Sequence, residues 1–189
     1  DSDLMVQTNF GGRQRFDAYR GRNLLSEVYQ AEKAEGIVNA NEFSFLSDSA
    51  KALGKGRLLI GADEYIYEKG ASLLGRLVEV YYTRRDGQRE ILYLSDSKTG
   101  SAAFSGREVS RFDGAGLEVQ REGRTEKYSL AKSFDFLLGG KAEDGALFWE
   151  LLRTAELTVE LLDNDRDGEY EVVKAERWDY CHIYSVNVK

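Results

Sequence analysis

The apolar positions of this chain recur mostly with a period of two, the spacing that sends alternate side chains to the two faces of a strand. The pattern is clearest between residues 56 and 95. Arg57-Leu58-Leu59-Ile60 reads as a short apolar strand, Gly61-Ala62-Asp63 as a turn, and Glu64-Tyr65-Ile66-Tyr67 as an alternating strand. Residues 77–82 and 90–94 are rich in β-branched and aromatic types. Between them, Arg85-Asp86-Gly87-Gln88 carries the Asp-Gly pair that two-residue hairpin turns favour. A further hairpin is expected from 116–120 and 125–130 across Glu122-Gly123, and strand-like runs follow at 157–162, 170–175 and 182–188.

Three segments depart from this pattern. Over 144–155, Leu147, Phe148, Leu151 and Leu152 fall on one helical face and Asp144 can cap the first turn, so a helix is expected. Over 24–45 the signals conflict: Val28 to Ala34 suits a helix by propensity, whereas Gly36-Ile37-Val38 with Phe43 and Phe45 suits a strand. The reading favours one long strand. Residues 1–23 are polar and glycine-containing and read as a tail or an incoming connection.

Laid over itself, the chain matches 78–92 to 159–173 without a gap. Each copy is strand, Asp-Gly turn, strand. Each follows a tyrosine-bearing strand (Tyr65, Tyr128) and a Leu-Leu-Gly at 73–75 and 137–139. The expected architecture is therefore mainly β: two related small antiparallel units, barrel- or sandwich-like. Residues 24–110 form the first and 111–189 the second, which carries a short helical insertion near 144–155.

Composition narrows the function. A net charge of −7 argues against nucleic acid, because phosphate binding needs clustered Lys and Arg. No apolar run approaches the roughly 20 residues that span a bilayer. With Cys181 as its one cysteine the chain has no intramolecular disulfide, and with no proline its turns must come from Gly, Asp and Asn.

The two copies differ where chemistry can enter. Tyr82 and Arg84 of the first are replaced by Asp163 and Asp165 in the second, giving Asp163-Asn164-Asp165-Arg166-Asp167-Gly168. Carboxylates at alternate positions of such a loop can converge on one hard cation, with Glu171 completing the set and Gly168 allowing the sharp turn. Position 12 of an EF-hand would be a bidentate glutamate, and here it is Lys174 with strands on both sides. The segment is thus either a β-hairpin Ca²⁺ loop formed by Asp163, Asp165, Asp167 and Glu171, or a solvated acidic turn.

Catalytic signatures are missing. His182 is the one histidine, and its strand neighbour Cys181 would point to the opposite face, so the two make a poor nucleophile–base pair. One Cys and one His are too few for tetrahedral zinc, and no Gly-x-Ser-x-Gly elbow occurs. Among 33 acidic residues some pair at glycosidase separation is always available, but nothing singles one out. Tyr65, Tyr67, Tyr81, Tyr82 and Tyr93 lie on adjacent expected strands and either pack the core or form an exposed row for sugars or protein. Trp149 is expected in the helix core and Trp178 exposed.

Three segments in order carry a resemblance: Glu35-Gly36-Ile37-Val38-Asn39-Ala40-Asn41-Glu42-Phe43, then Leu73-Leu74-Gly75-Arg76-Leu77-Val78-Glu79-Val80-Tyr81-Tyr82, then 161–173. Over roughly residues 20–189 the chain resembles a group of poorly characterised cell-surface proteins of Gram-positive Firmicutes, often found with S-layer-homology or wall-attachment modules. The resemblance implies an extracellular or cell-surface location, no catalytic residues, and a cell-wall or extracellular glycan or a protein as partner. Its closing strand departs from the group at Trp178-Asp179-Tyr180-Cys181-His182. The expectation is a non-enzymatic scaffold or adhesion module, with a carbohydrate-active or peptidoglycan-acting enzyme domain, or a glycan-binding module, as the alternatives.

Overall fold

The computed structural model describes residues 4–10, 13–19, 24–43, 45–46, 53–154 and 156–177. The expected strand at 182–188, with Trp178, Cys181 and His182, lies outside them.

Strands β1 (Leu4–Phe10) and β2 (Arg13–Tyr19) pair antiparallel as a sheet of their own. The expected tail is therefore a hairpin. Its polar composition misled because a ladder needs only backbone groups, and a two-stranded ribbon has no enclosed core to reveal it. The single long strand expected over 24–45 is also corrected. Helix α1 (Leu24–Val28) comes first, Gln30 adopts a φ of 51°, and Ala31 donates back to the Leu25 carbonyl before β3 (Glu32–Ala40) begins. A left-handed residue cannot lie inside a continuous strand.

The remaining strands of the first unit follow the expectation closely: β4 (Arg57–Ile60), β5 (Asp63–Ile66), β6 (Leu77–Arg85) and β7 (Gln88–Ser95). Asp86 and Gly87 both have positive φ, the turn whose twist suits a two-residue hairpin. The order β3-β4-β5-β7-β6 closes on itself through the β3–β6 pair, and β5 runs parallel to β7. Inside lie Val38, Leu58, Ile60, Val78 and Val80, with Tyr65 edge-on to Tyr82 at 5.1 Å.

The second unit contains β8 (Gly100–Ser105), β9 (Val109–Phe112), β10 (Gly116–Arg121), β11 (Arg124–Leu138), β12 (Lys141–Glu143), α2 (Gly145–Thr154), β13 (Leu157–Asp163) and β14 (Glu169–Arg177). Its order is β8-β13-β14-β11-β10-β9, with β12 added to the end of β11. Here β11 runs parallel to β14. The second sheet thus starts before residue 111. Strand β8 escaped the sequence reading because Gly100-Ser101-Ala102-Ala103 has none of the β-branched residues that mark a strand.

Numbered within each unit, both sheets run 1-2-3-5-4 with strands 3 and 5 parallel, and strand 1 touches both 2 and 4. In the second unit strand 1 is broken into β8 and β9 by a 3₁₀ turn, Gly106–Glu108, where Ser105 and Glu108 cap each other. The crossover from strand 3 to 4 holds a 3₁₀ turn, Ala71–Leu73, in the first unit and α2 in the second. The first unit is thus a closed barrel and the second a larger sheet curled in the same order. Helix α2 begins as expected, with the Asp144 carboxylate accepting from Ala146 N–H, and it drives Phe148 and Leu151 into the core. Trp149 is half-buried and stacks on Phe112 at 5.6 Å.

The gapless overlay of the two hairpins does not carry over to their pairing. Tyr81 faces Tyr93 in the first, so Leu162 would face Lys174 in the second; it faces Val172 instead. Where β6 continues to Arg85 and turns in two residues, β13 stops at Asp163 and the chain leaves the ladder for five residues, 164–168.

Candidate metal centre at the joint between the two units

That departure puts the acidic loop against the first unit. The units are linked by only four residues, 96–99, between β7 and β8. Beside this link an apolar seam joins Leu46 and Leu74 to Leu137, Leu162 and Val172. Gly75 has a φ of +82°, and a Cβ there would sit 3.0 Å from Val172 Cγ1, so only glycine lets the first unit come this close.

Asn164 fastens the polar side of the joint and is 8% exposed. Its amide donates to the Gly75 carbonyl at 2.9 Å, and its Oδ1 accepts from Leu77 N–H at 2.9 Å and from the Thr99 hydroxyl at 3.0 Å. Arg166, left-handed at φ 61°, reaches the link itself and donates to the carbonyls of Lys98 (2.7 Å) and Ser97 (2.6 Å). On the flank, Arg76 bridges Asp96 and Glu160, while Lys174 pairs with Glu160 at 2.9 Å and donates to Ser72 O. Sequence reasoning missed Asn164 and Arg166 because their partners lie 65 to 89 residues away.

The four acids singled out in the sequence do come together. Asp163, Asp165, Asp167 and Glu171 each place one carboxylate oxygen within 4.8 Å of the others, so the cluster could hold a metal ion. Oxygens on opposite sides of Ca²⁺ stand roughly 4.6–5.2 Å apart, so the spacing suits one ion. Backbone N–H groups orient the carboxylates. Asp163 accepts from Arg166 (2.6 Å) and Gly168 (3.1 Å), Asp165 from Asp167 (3.1 Å), Asp167 from Glu169 (2.7 Å) and Glu171 from Asn164 (3.0 Å). Among the described residues no Lys or Arg forms an ion pair with any of the four. Lys174, at the twelfth position, points to Glu160 instead, and both flanks are strands, which rules out an EF-hand.

The site's electrostatics follow from this crowding. Burial pushes the Glu171 carboxyl above its usual range; the Asn164 N–H opposes this, and the charges of Asp165 and Asp163 add to it. Burial also raises Asp135, which shares a joint cavity of about 230 Å³ with Asp165, Glu171, Ile37 and Leu46. Tyr170 is raised too, first by burial and then by the charge of Asp163.

The tyrosines do not form an exposed row. Tyr65, Tyr81 and Tyr82 are buried and Tyr67 is half-buried, leaving Tyr93 at 49% exposure beside Leu92. Among the described residues no helix is long and apolar enough to cross a membrane.

Two measurements check the joint. Asn164→Ala leaves the Gly75 carbonyl without its partner and takes from Leu77 N–H one of its two acceptors, the other being the Thr99 hydroxyl, which should cost about 1–3 kcal/mol in urea unfolding and speed hydrogen exchange at Leu77. Asp135 has a folded-state pKa above its unfolded value, so the stability its neutral form contributes at low pH is lost as pH rises from about 3.8 through the raised value. Asp135→Asn should therefore raise the melting midpoint at neutral pH and leave it unchanged near pH 3. A midpoint gain that is equal at both pH values contradicts that assignment. No protein-family model, curated protein or solved structure matches the chain.

Proposed function

We propose that the chain is a non-enzymatic module of a secreted or cell-surface bacterial protein, with a scaffold or adhesion role, whose acidic loop takes up Ca²⁺ and braces the joint between its two β units. One observation carries this reading. Four carboxylates, with no cationic partner among the described residues, are gathered at the loop whose Asn164 and Arg166 grip the other unit and its link. An ion there would relieve the repulsion of the carboxylates and stiffen the contact to the link in one step. Ca²⁺ fits the all-oxygen ligand set better than a softer metal. The resemblance to Gram-positive surface proteins supplies the location, and the single cysteine is compatible with it.

A second reading rests on Asp135 and Glu171, two raised acids facing one cavity, as in a carbohydrate-active or peptidoglycan-acting enzyme domain. The cavity is smaller than the roughly 300–1,000 Å³ usual for ligand sites, so the scaffold reading leads. Hydrolysis of wall polymer by the wild type, lost in Asp135→Asn, would reverse that order.

For an extracellular-type site of about 0.1–1 mM affinity, ~10 mM Ca²⁺ should stabilise the fold by about 1.4–2.7 kcal/mol. In a chain of this length that raises the calorimetric midpoint by roughly 3–10 °C over the chelator-treated protein. Asp165→Asn with Asp167→Asn should abolish the rise. An unmoved midpoint in the wild type rejects Ca²⁺ binding.

A further inference from the structure

The chain passes from the first unit to the second through Asp96-Ser97-Lys98-Thr99, and this link displays a lysine on a turn. Thr99 N–H donates to the Asp96 carbonyl at 3.1 Å, which closes the four residues on themselves. The half-exposed Lys98 side chain stands out from the turn and pairs with Glu35 and, at 3.6 Å, with Glu79. Lys33, Lys127, Lys132, Lys141 and Lys174 lie in strands, and Lys55 and Lys69 in turns inside the first unit. Among the described lysines, Lys98 is the one after which a single cut would part the two units.

Exposed turns are where proteases nick a folded chain. A displayed side chain is not enough, however. The scissile carbonyl must be free to accept from the protease's oxyanion hole, and the chain on both sides must open into an extended form. Both needs are blocked here. Arg166 donates through Nε to the Lys98 carbonyl at 2.7 Å and through Nη2 to the Ser97 carbonyl at 2.6 Å. On the other side of the bond Thr99 is buried, its hydroxyl accepting from Leu77 N–H at 3.0 Å and donating to Asn164 Oδ1 at 3.0 Å.

The placing of Arg166 is not incidental. Its φ of 61° is left-handed, and its own N–H is held by the Asp163 carboxylate at 2.6 Å, so the turn of the loop aims the side chain at the link. A planar guanidinium can span two successive carbonyls, which a lysine ammonium does not match. Both of its bonds lie at the exposed surface. They can therefore open locally while the strands of both units stay paired.

We propose that Lys98–Thr99 is a latent processing site for a lysine-directed serine protease, closed by Arg166 and opened when its guanidinium releases the link. The step is hydrolysis of one peptide bond. The C–N bond between Lys98 and Thr99 breaks, the oxygen of one water completes the Lys98 carboxylate, and both water protons go to the Thr99 nitrogen as an ammonium. The products are 1–98 and 99–189, joined afterwards by the non-covalent contacts of the joint alone. The proposal goes beyond the reading above and requires no ion at the acidic loop.

The test is digestion of the folded full chain by lysyl endopeptidase in the presence of chelator, with the fragments identified by mass. The cut after Lys98 should be slow in the wild type and about tenfold or more faster in Arg166→Ala, because cleavage follows the population of the open link. The melting midpoint should stay within a few degrees, and cuts after Lys55 and Lys69 should keep their rates. Arg166→Lys should fall between the wild type and Arg166→Ala, and adding Lys98→Gln to Arg166→Ala should remove the 1–98 and 99–189 fragments. The proposal is overturned if Arg166→Ala is cut after Lys98 no faster than the wild type. It is overturned as well if that variant speeds every cut alike, since the guanidinium would then hold the fold as a whole and not this bond. Because chelator is present throughout, a melting midpoint unmoved by Ca²⁺ would leave this result standing.

Discussion

One buried amide holds this molecule's geometry. The Asn164 side chain gives and accepts hydrogen bonds to three separate points on the first unit and its link, the Gly75 carbonyl, the Leu77 N–H and the Thr99 hydroxyl. Without it the Gly75 carbonyl would be enclosed without a mate, and Leu77 and Thr99 would be left with only their bonds to each other, because the apolar seam of Leu74, Leu137, Leu162 and Val172 keeps water from that side. The acidic loop owes its shape to this requirement. Had β13 continued as β6 does, a two-residue turn would have left Asn164 on the ladder and the joint without its polar fastening.

Two units of the same strand order thus differ at this hairpin, and the difference brings the contact between units and the acidic cluster to one place. The five-residue excursion reaches across to the link through Asn164 and Arg166. It also gathers Asp163, Asp165 and Asp167 beside Glu171, with Asp165 and Asp167 exposed. Anything that neutralises those charges acts on the contact between units, because the same few residues do both. Asp163, 7% exposed and bonded to two N–H groups of its own loop, is the point where strand, loop and acid cluster meet.

Much of this was legible in the residues. Period-two alternation and the Asp86-Gly87 and Glu122-Gly123 turns located most strands of both units, because those signals are local. The acid set was legible as a spacing, since alternate positions of one loop converge whatever surrounds them. The helix at α2 was legible from its cap and face. Long-range choices were not. Whether 24–45 ran straight depended on Gln30 turning left-handed. Strand β8 forms because β13 offers it an edge, although Gly100 to Ala103 has little propensity of its own. Asn164 is an ordinary turn residue by sequence, and only the arrival of Gly75, Leu77 and Thr99 beside it gives it a role.

The most direct test of the joint is native-state hydrogen exchange across a thermal or urea gradient, following Val78 and Val80 in the first unit against Val159 and Leu161 in the second. If Asn164 and the apolar seam make the two units one body, these four amides lose protection together, at a single midpoint shared with the calorimetric transition. Loss of protection in one pair while the other stays closed would mean that the units unfold independently. The joint would then not be the feature on which the structure depends.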